Sequence, residues 1–292
     1  FADKTVANNK AVTISGLTLS GEDAGNYTVT DNSGATANIT AKAITSTGIT
    51  ASNKVYNANT VATLNTGTAV LTGGAVADDD NKYYTGDTVT LDTSGAAGLF
   101  ADKTVANNKA VTISGLTLSG EDAGNYTVTD NSGATANITA KAITSTGITA
   151  SNKVYNANTV ATLNTGTAVL TGGAVADDDN KYYTGDTVTL DTSGAAGLFA
   201  DKTVANNKAV TISGLALSGA DAGNYTVTDA SNATANITAK PITATGVTAV
   251  NKIYNANTVA TLNTGLAAIT AGATADDDKK YYDGDTVILE KA

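Results

Sequence analysis

Ala110-Val111-Thr112-Ile113-Ser114-Gly115-Leu116-Thr117-Leu118 alternates apolar with small polar residues on either side of one glycine. A period of two places Val111 and Ile113 on one face and Thr112 and Ser114 on the other, as in a half-buried strand. Val, Ile and Thr are branched at Cβ and fit a pleated surface better than a helix. Working outward, strands are expected at 125–129, 134–140, 143–151, 153–156, 160–164, 168–170 and 187–191. Gly, Asn, Asp and Ser clusters such as Asn131-Ser132-Gly133 and Gly172-Gly173 separate them. No segment carries helical periodicity with caps. Seven to nine short strands in about a hundred residues predict an all-β fold of immunoglobulin-like β-sandwich modules.

The opening stretch is not unique. It returns unchanged at 11–19 and, with Ala216 in place of Thr117, at 209–217. Residues 1–99 are identical to 100–198, and the copy from Phe199 onward drifts slightly. The seam between modules is expected at Ala41-Lys42, Ala140-Lys141 and Ala239-Lys240, the last followed by Pro241, the chain's only proline. Proline fixes φ and removes a donor, which suits the first residue of a strand at a junction. This phasing divides the chain into 1–42 (the back of a module), complete modules at 43–141 and 142–240, and 241–292 (the front of another). Linkers are nearly nil, so an extended rod is expected. The partial modules at the ends mark either a window on a longer array or strand exchange with a neighbouring chain.

Composition narrows function. The 292 residues include no His, Cys, Met, Trp, Arg or Gln, and all but three of the 27 acidic residues are Asp. A net charge of −10 leaves nothing to neutralise phosphates, which argues against nucleic-acid binding. Without His or Cys there is no imidazole base, thiol nucleophile or imidazole metal ligand, so the chain is not expected to be an enzyme. Neither a disulfide nor an apolar run of membrane-spanning length is present.

Three acidic loops are candidate calcium sites: Asp78, Asp79, Asp80 and Asp87; Asp177, Asp178, Asp179 and Asp186; and Asp276, Asp277, Asp278 and Asp285. Calcium takes six to eight hard oxygen ligands, which such loops supply. They lack the alternating spacing of an EF-hand, and Lys181 or Lys279-Lys280 compete for the same carboxylates. A solvated acidic surface is the other reading. Tyr182-Tyr183 is either a ligand-binding pair or a cover for the sheet edge, one ring turned in and one out. Nothing in the sequence selects a Lys–Asn or Lys–Asp crosslink.

Glu121-Asp122-Ala123-Gly124-Asn125-Tyr126-Thr127-Val128 looks like the D-x-G-x-Y run of immunoglobulin-type domains, whose corner Tyr returns its hydroxyl to backbone. Asn152-Lys153-Val154-Tyr155-Asn156-Ala157-Asn158-Thr159 resembles the K-x-Y-D-G-T-T opening of YDG and MBG-type repeats of large bacterial adhesins. So do Phe199-Ala200-Asp201-Lys202-Thr203-Val204, Ile212-Ser213-Gly214-Leu215 and Asp221-Ala222-Gly223-Asn224-Tyr225. The departure is at Asn156-Ala157, where the family usually shows Asp-Gly, and it bears on the turn geometry. The resemblance implies a filamentous-haemagglutinin-like exoprotein at the surface of, or secreted by, a Gram-negative bacterium. There the repeats would be a stalk that extends a binding tip for adhesion or biofilm. Alternatives are a self-associating filament with strand exchange, or a calcium-dependent or polysaccharide-binding module. Expected partners are neighbouring repeats, other copies of the chain, or extracellular polysaccharide.

Overall fold

A computed structural model describes residues 1–291. The chain divides into two compact units, Phe1–Ala140 and Lys141–Ala292. The fold is all-β: the only helical turns among the described residues are the single 3-10 turns Ala24–Asn26, Ala123–Asn125 and Ala222–Asn224.

In the first unit the strand Ala106–Ser114 organises a five-stranded sheet, in the order Lys54–Val55, Thr135–Thr139, Ala106–Ser114, Ala97–Phe100, Val61–Ala62. Its inner pairs are antiparallel, with Phe100 opposite Val111 and Ala110 opposite Thr135. The edge strand Lys54–Val55 is parallel to its neighbour, Lys54 lying opposite Ile138. A second sheet pairs Lys42–Thr47 in parallel with Tyr126–Asp130, Lys42 opposite Tyr126. Val70–Leu71 covers the other side of Lys42–Thr47. The second unit repeats both sheets, around Ala205–Ser213 and around Lys141–Thr146 with Tyr225–Asp229.

This mixed pairing differs from the expected immunoglobulin-type arrangement of two antiparallel sheets. The first strand of a module is tied in parallel to a strand 84 residues later, at Lys42 and Tyr126. Most expected strands occur, several of them shorter, while the one read at 110–114 reaches back to Ala106. The run at 143–151 splits at Gly147, whose φ of +85° turns the chain between Lys141–Thr146 and Thr149–Ala150. Ala97–Phe100 and Ala196–Phe199 had no sequence signal, because each contains a glycine and follows a turn cluster. Gly197 is there for space: a Cβ would lie 2.6 Å from Leu163 Cδ2 and 3.2 Å from Val210 Cγ1.

The apolar face of the five-stranded sheet makes the core. In the second unit Ala161, Phe199, Val210, Ala233, Ala235 and Ile237 form one buried cluster, edged by Tyr155, Leu163 and Ile212. The matching residues of the first unit, including Phe100, Val111 and Ile138, are equally buried. Small alanines beside a single phenylalanine let the sheet close with few large side chains. In each unit the second sheet buries one isoleucine, Ile44 or Ile143, and the turn after its first strand buries another, Ile49 or Ile148, each about 1% exposed. Full burial of such a side chain contributes roughly 1.5–3 kcal/mol.

Candidate functional site

The polar features of each module centre on lysine. Lys42 opens its strand with its side chain nearly buried, and the acidic loop folds over the ammonium. Lys42 Nζ donates to Ala77 O at 2.9 Å, Asp78 O at 2.8 Å and Asp80 Oδ1 at 3.0 Å. It also sits 5.4 Å from the centre of the Tyr84 ring. The second unit repeats this at fully buried Lys141, which donates to Asp177 O and Asp179 Oδ1 beneath Tyr183. Lys240 does so with Ala275 O, Asp278 Oδ1 and Tyr282. A buried ammonium is tolerated only when paired and hydrogen-bonded, and this loop does both.

The acidic loop is therefore organised around an internal cation. The third Asp of each run is the one whose carboxylate meets the lysine. Asp80 Oδ2 accepts the Val76 N–H at 2.7 Å, and its Oδ1 accepts the Lys82 N–H at 3.2 Å. Burial alone would push the Asp179 carboxyl up. The Val175 N–H, the Lys141 ammonium and the Lys181 and Ala176 N–H groups outweigh it and hold Asp179 well below the usual carboxylate range. Asp278 is lowered too, first by Lys240. The first Asp of the run accepts a tyrosine hydroxyl: Tyr183 to Asp177 and Tyr282 to Asp276, both at 2.9 Å, and Tyr84 to Asp78. That contact, helped by burial, pushes Tyr84 up to about 12, and burial, helped by the contact, does the same for Tyr282. The middle residues, Asp79, Asp178 and Asp277, are exposed.

The last Asp of each loop lies apart from this cage and faces a tyrosine. Tyr126 OH donates to Asp87 Oδ2 at 2.7 Å and accepts the Tyr84 N–H at 3.1 Å. Tyr225 does the same with Asp186 and Tyr183 N–H. The D-x-G-x-Y tyrosine thus reaches backbone as expected, but in a loop some forty residues earlier instead of its own corner. The cause is the parallel pairing of its strand with the one that opens the module. Asp87 also takes the Lys4 ammonium at 2.7 Å. Asp285 takes Lys202 at 3.0 Å and the Tyr155 hydroxyl at 2.8 Å. Among the described residues, no group of three or more His, Cys, Asp or Glu side chains is arranged to hold a metal ion.

Two further lysines per module tie turns, and sequence reasoning passed over them. Lys153 Nζ donates to Asn156 Oδ1, Asn158 O and Oδ1, and Val160 O at 2.8–3.0 Å, and lies over the Phe199 ring. It therefore closes the turn of its own Asn-Ala-Asn motif. Lys208 binds Asp201 and Thr203 O, as Lys109 binds Asp102 and Thr104 O. The available signal was a lysine at the same phase of every copy, always followed or preceded at fixed spacing by Asp or Asn. Both tyrosines of the doublet are half-buried, Tyr182 against Gly172 and Tyr183 over Lys141.

These modules define the chain as a tandem array of all-β repeats, each polar cluster recurring with the repeat. The YDG domain profile matches residues 1–35, 40–134 and 139–234, so the chain belongs to the YDG domain family. No curated protein and no solved structure matches it.

Proposed function

We propose that the chain is a non-catalytic spacer: the repeat region of an extracellular bacterial adhesin, whose modules stack into an extended rod and carry a binding tip away from the cell. The observation that supports this best is the pairing of its buried lysines within their own repeat. Lys42, Lys141 and Lys240, all nearly or fully buried, are consumed by their own loops. The same arrangement recurs in successive copies, which is what a load-bearing repeat needs and what a single specific site does not. The YDG assignment and the absence of His and Cys fit the same reading.

Small-angle scattering, extrapolated to zero concentration, tests it with chains of two, three and four repeats. The maximum dimension is expected to grow by a constant step of roughly 40 Å per repeat, the length of one strand plus its turns. A dimension that stays flat as repeats are added would overturn the rod. In the host protein, removing repeats should lower cell attachment while leaving the isolated tip's affinity unchanged.

A further inference from the structure

The last aspartate of the acidic loop sits where two repeats meet, and its bonds divide between them. By the phasing of the repeat, Lys4 belongs to one module, and Asp87, Asp122 and Tyr126 belong to the next. Asp87 Oδ1 accepts the Lys4 ammonium at 2.7 Å, and its Oδ2 accepts the Tyr126 hydroxyl at 2.7 Å. One carboxylate is thus held from both sides of a joint. Lys4 also lies 3.5 Å from Asp122 Oδ1, and the Val6 N–H donates to Asn125 Oδ1 at 2.9 Å, again from one module to the next.

The second unit shows the corresponding aspartate gripped by a further residue. Tyr155 and Lys202 belong to the module 142–240, and Asp285 belongs to the next. The Tyr155 hydroxyl donates to Asp285 Oδ2 at 2.8 Å, and the Lys202 ammonium donates to Oδ1 at 3.0 Å. That ammonium also lies 5.8 Å from the centre of the Tyr155 ring. Tyr155 meets the Tyr282 ring edge to face, with centres 6.1 Å apart. Tyr155, then Lys202, hold the Asp285 carboxyl below its usual range, as Lys4 and then Tyr126 do for Asp87.

We propose that the aspartate closing the acidic loop is a latch between successive repeats, and that the surface it fits is the tyrosine–lysine pair of the preceding repeat. An ionised carboxylate offers about four acceptor positions, enough for donors from both sides. The tyrosine contributes more than the lysine. Lys4 and Lys202 are 70% and 46% exposed, and ion pairs that open to water contribute little. A hydroxyl bonded to a carboxylate only 18% exposed is of the stronger, charge-assisted kind. Coupling between nearest neighbours is what makes a tandem array behave as one body. The latch deepens the spacer reading by naming what fastens one repeat to the next, and the two fail separately: scattering tests the rod, and the measurement below tests the joint.

Amide hydrogen exchange on the 292-residue chain reads the joint from both sides. Beyond it, the Ala273 and Tyr281 N–H groups bond Tyr281 O and Thr270 O. Before it lies the strand Ala205–Ser213, in the module that carries Tyr155. Tyr155→Phe keeps the ring and removes the hydroxyl. It should speed exchange at Ala273 and Tyr281 about tenfold and leave Ala205–Ser213 unchanged. Asp285→Ala should also speed exchange at Ala273 and Tyr281, and the double variant should go no further than Asp285→Ala alone, because both remove the same contact. Three results would each overturn the latch: Ala273 and Tyr281 exchanging in the wild type as fast as in an unfolded chain, an effect of Tyr155→Phe confined to Ala205–Ser213, or effects of the two substitutions that simply add.

Discussion

Ala157 has a φ of 61°, and Ala58 and Ala256 share this left-handed conformation. The family usually has glycine here, so the turn is kept and alanine bears the strain. An L-residue pays roughly 1–2 kcal/mol there, partly offset by glycine's greater freedom in the unfolded chain. Ala157→Gly should therefore stabilise by about 0.5–1 kcal/mol, read as a higher urea midpoint at unchanged slope. Lys279, with a φ of 61°, stands where the other copies have Asn81 and Asn180, and Lys279→Asn should act in the same direction. The opposite holds at Gly147, where a Cβ would lie 2.1 Å from Thr167 O on a φ of +85°. Gly147→Ala should cost more than about 2 kcal/mol, and thermal melting would show it. The caged aspartates contribute to the acid response, as do the lysine-paired Asp102 and Asp201. Asp80, Asp179 and Asp278 titrate lower folded than their unfolded value of about 3.9, so their contribution is full above that pH. It is lost as pH falls through the folded values. The melting temperature should hold between about pH 5 and 8 and drop below about 4. Asp179→Asn should melt lower than wild type at neutral pH and converge with it in acid.

At the scale of the element, most of the sheet was legible in the alternation of 110–118 and of the shorter runs around it. What alternation cannot convey is which strand lies beside which. The link between Lys42–Thr47 and Tyr126–Asp130 joins residues 84 apart, and no local pattern encodes such a partner. The strand Ala196–Phe199 was hidden because Gly197 is chosen for clearance under Leu163, not for strand preference. The acidic loops were visible as runs of Asp. Their occupant was not, since Lys141 is 38 residues before Asp179. The same pairing explains the tyrosine that opens the later strand. Tyr225→Phe would leave the Tyr183 N–H without its acceptor and Asp186 short of one donor. A loss of roughly 1–3 kcal/mol is expected, measured by chemical denaturation of the full chain.

For the whole molecule, the spacer role proposed above makes the direction of load matter. The parallel strands near the two ends of a module then acquire a consequence under tension. A pull on Lys42 and on Thr139 in opposite directions slides Lys42–Thr47 along Tyr126–Asp130 instead of peeling it away. Sliding loads the whole ladder of interstrand hydrogen bonds at once, whereas unzipping breaks them singly. Optical-trap extension through the chain termini should accordingly show discrete, high-force ruptures, and tethering across a hairpin such as Ala97–Phe100 with Ala106–Ser114 should rupture at lower force. In the proposed spacer, shear resistance of this kind would let noncovalent strand pairing carry the load of an attached cell against flow.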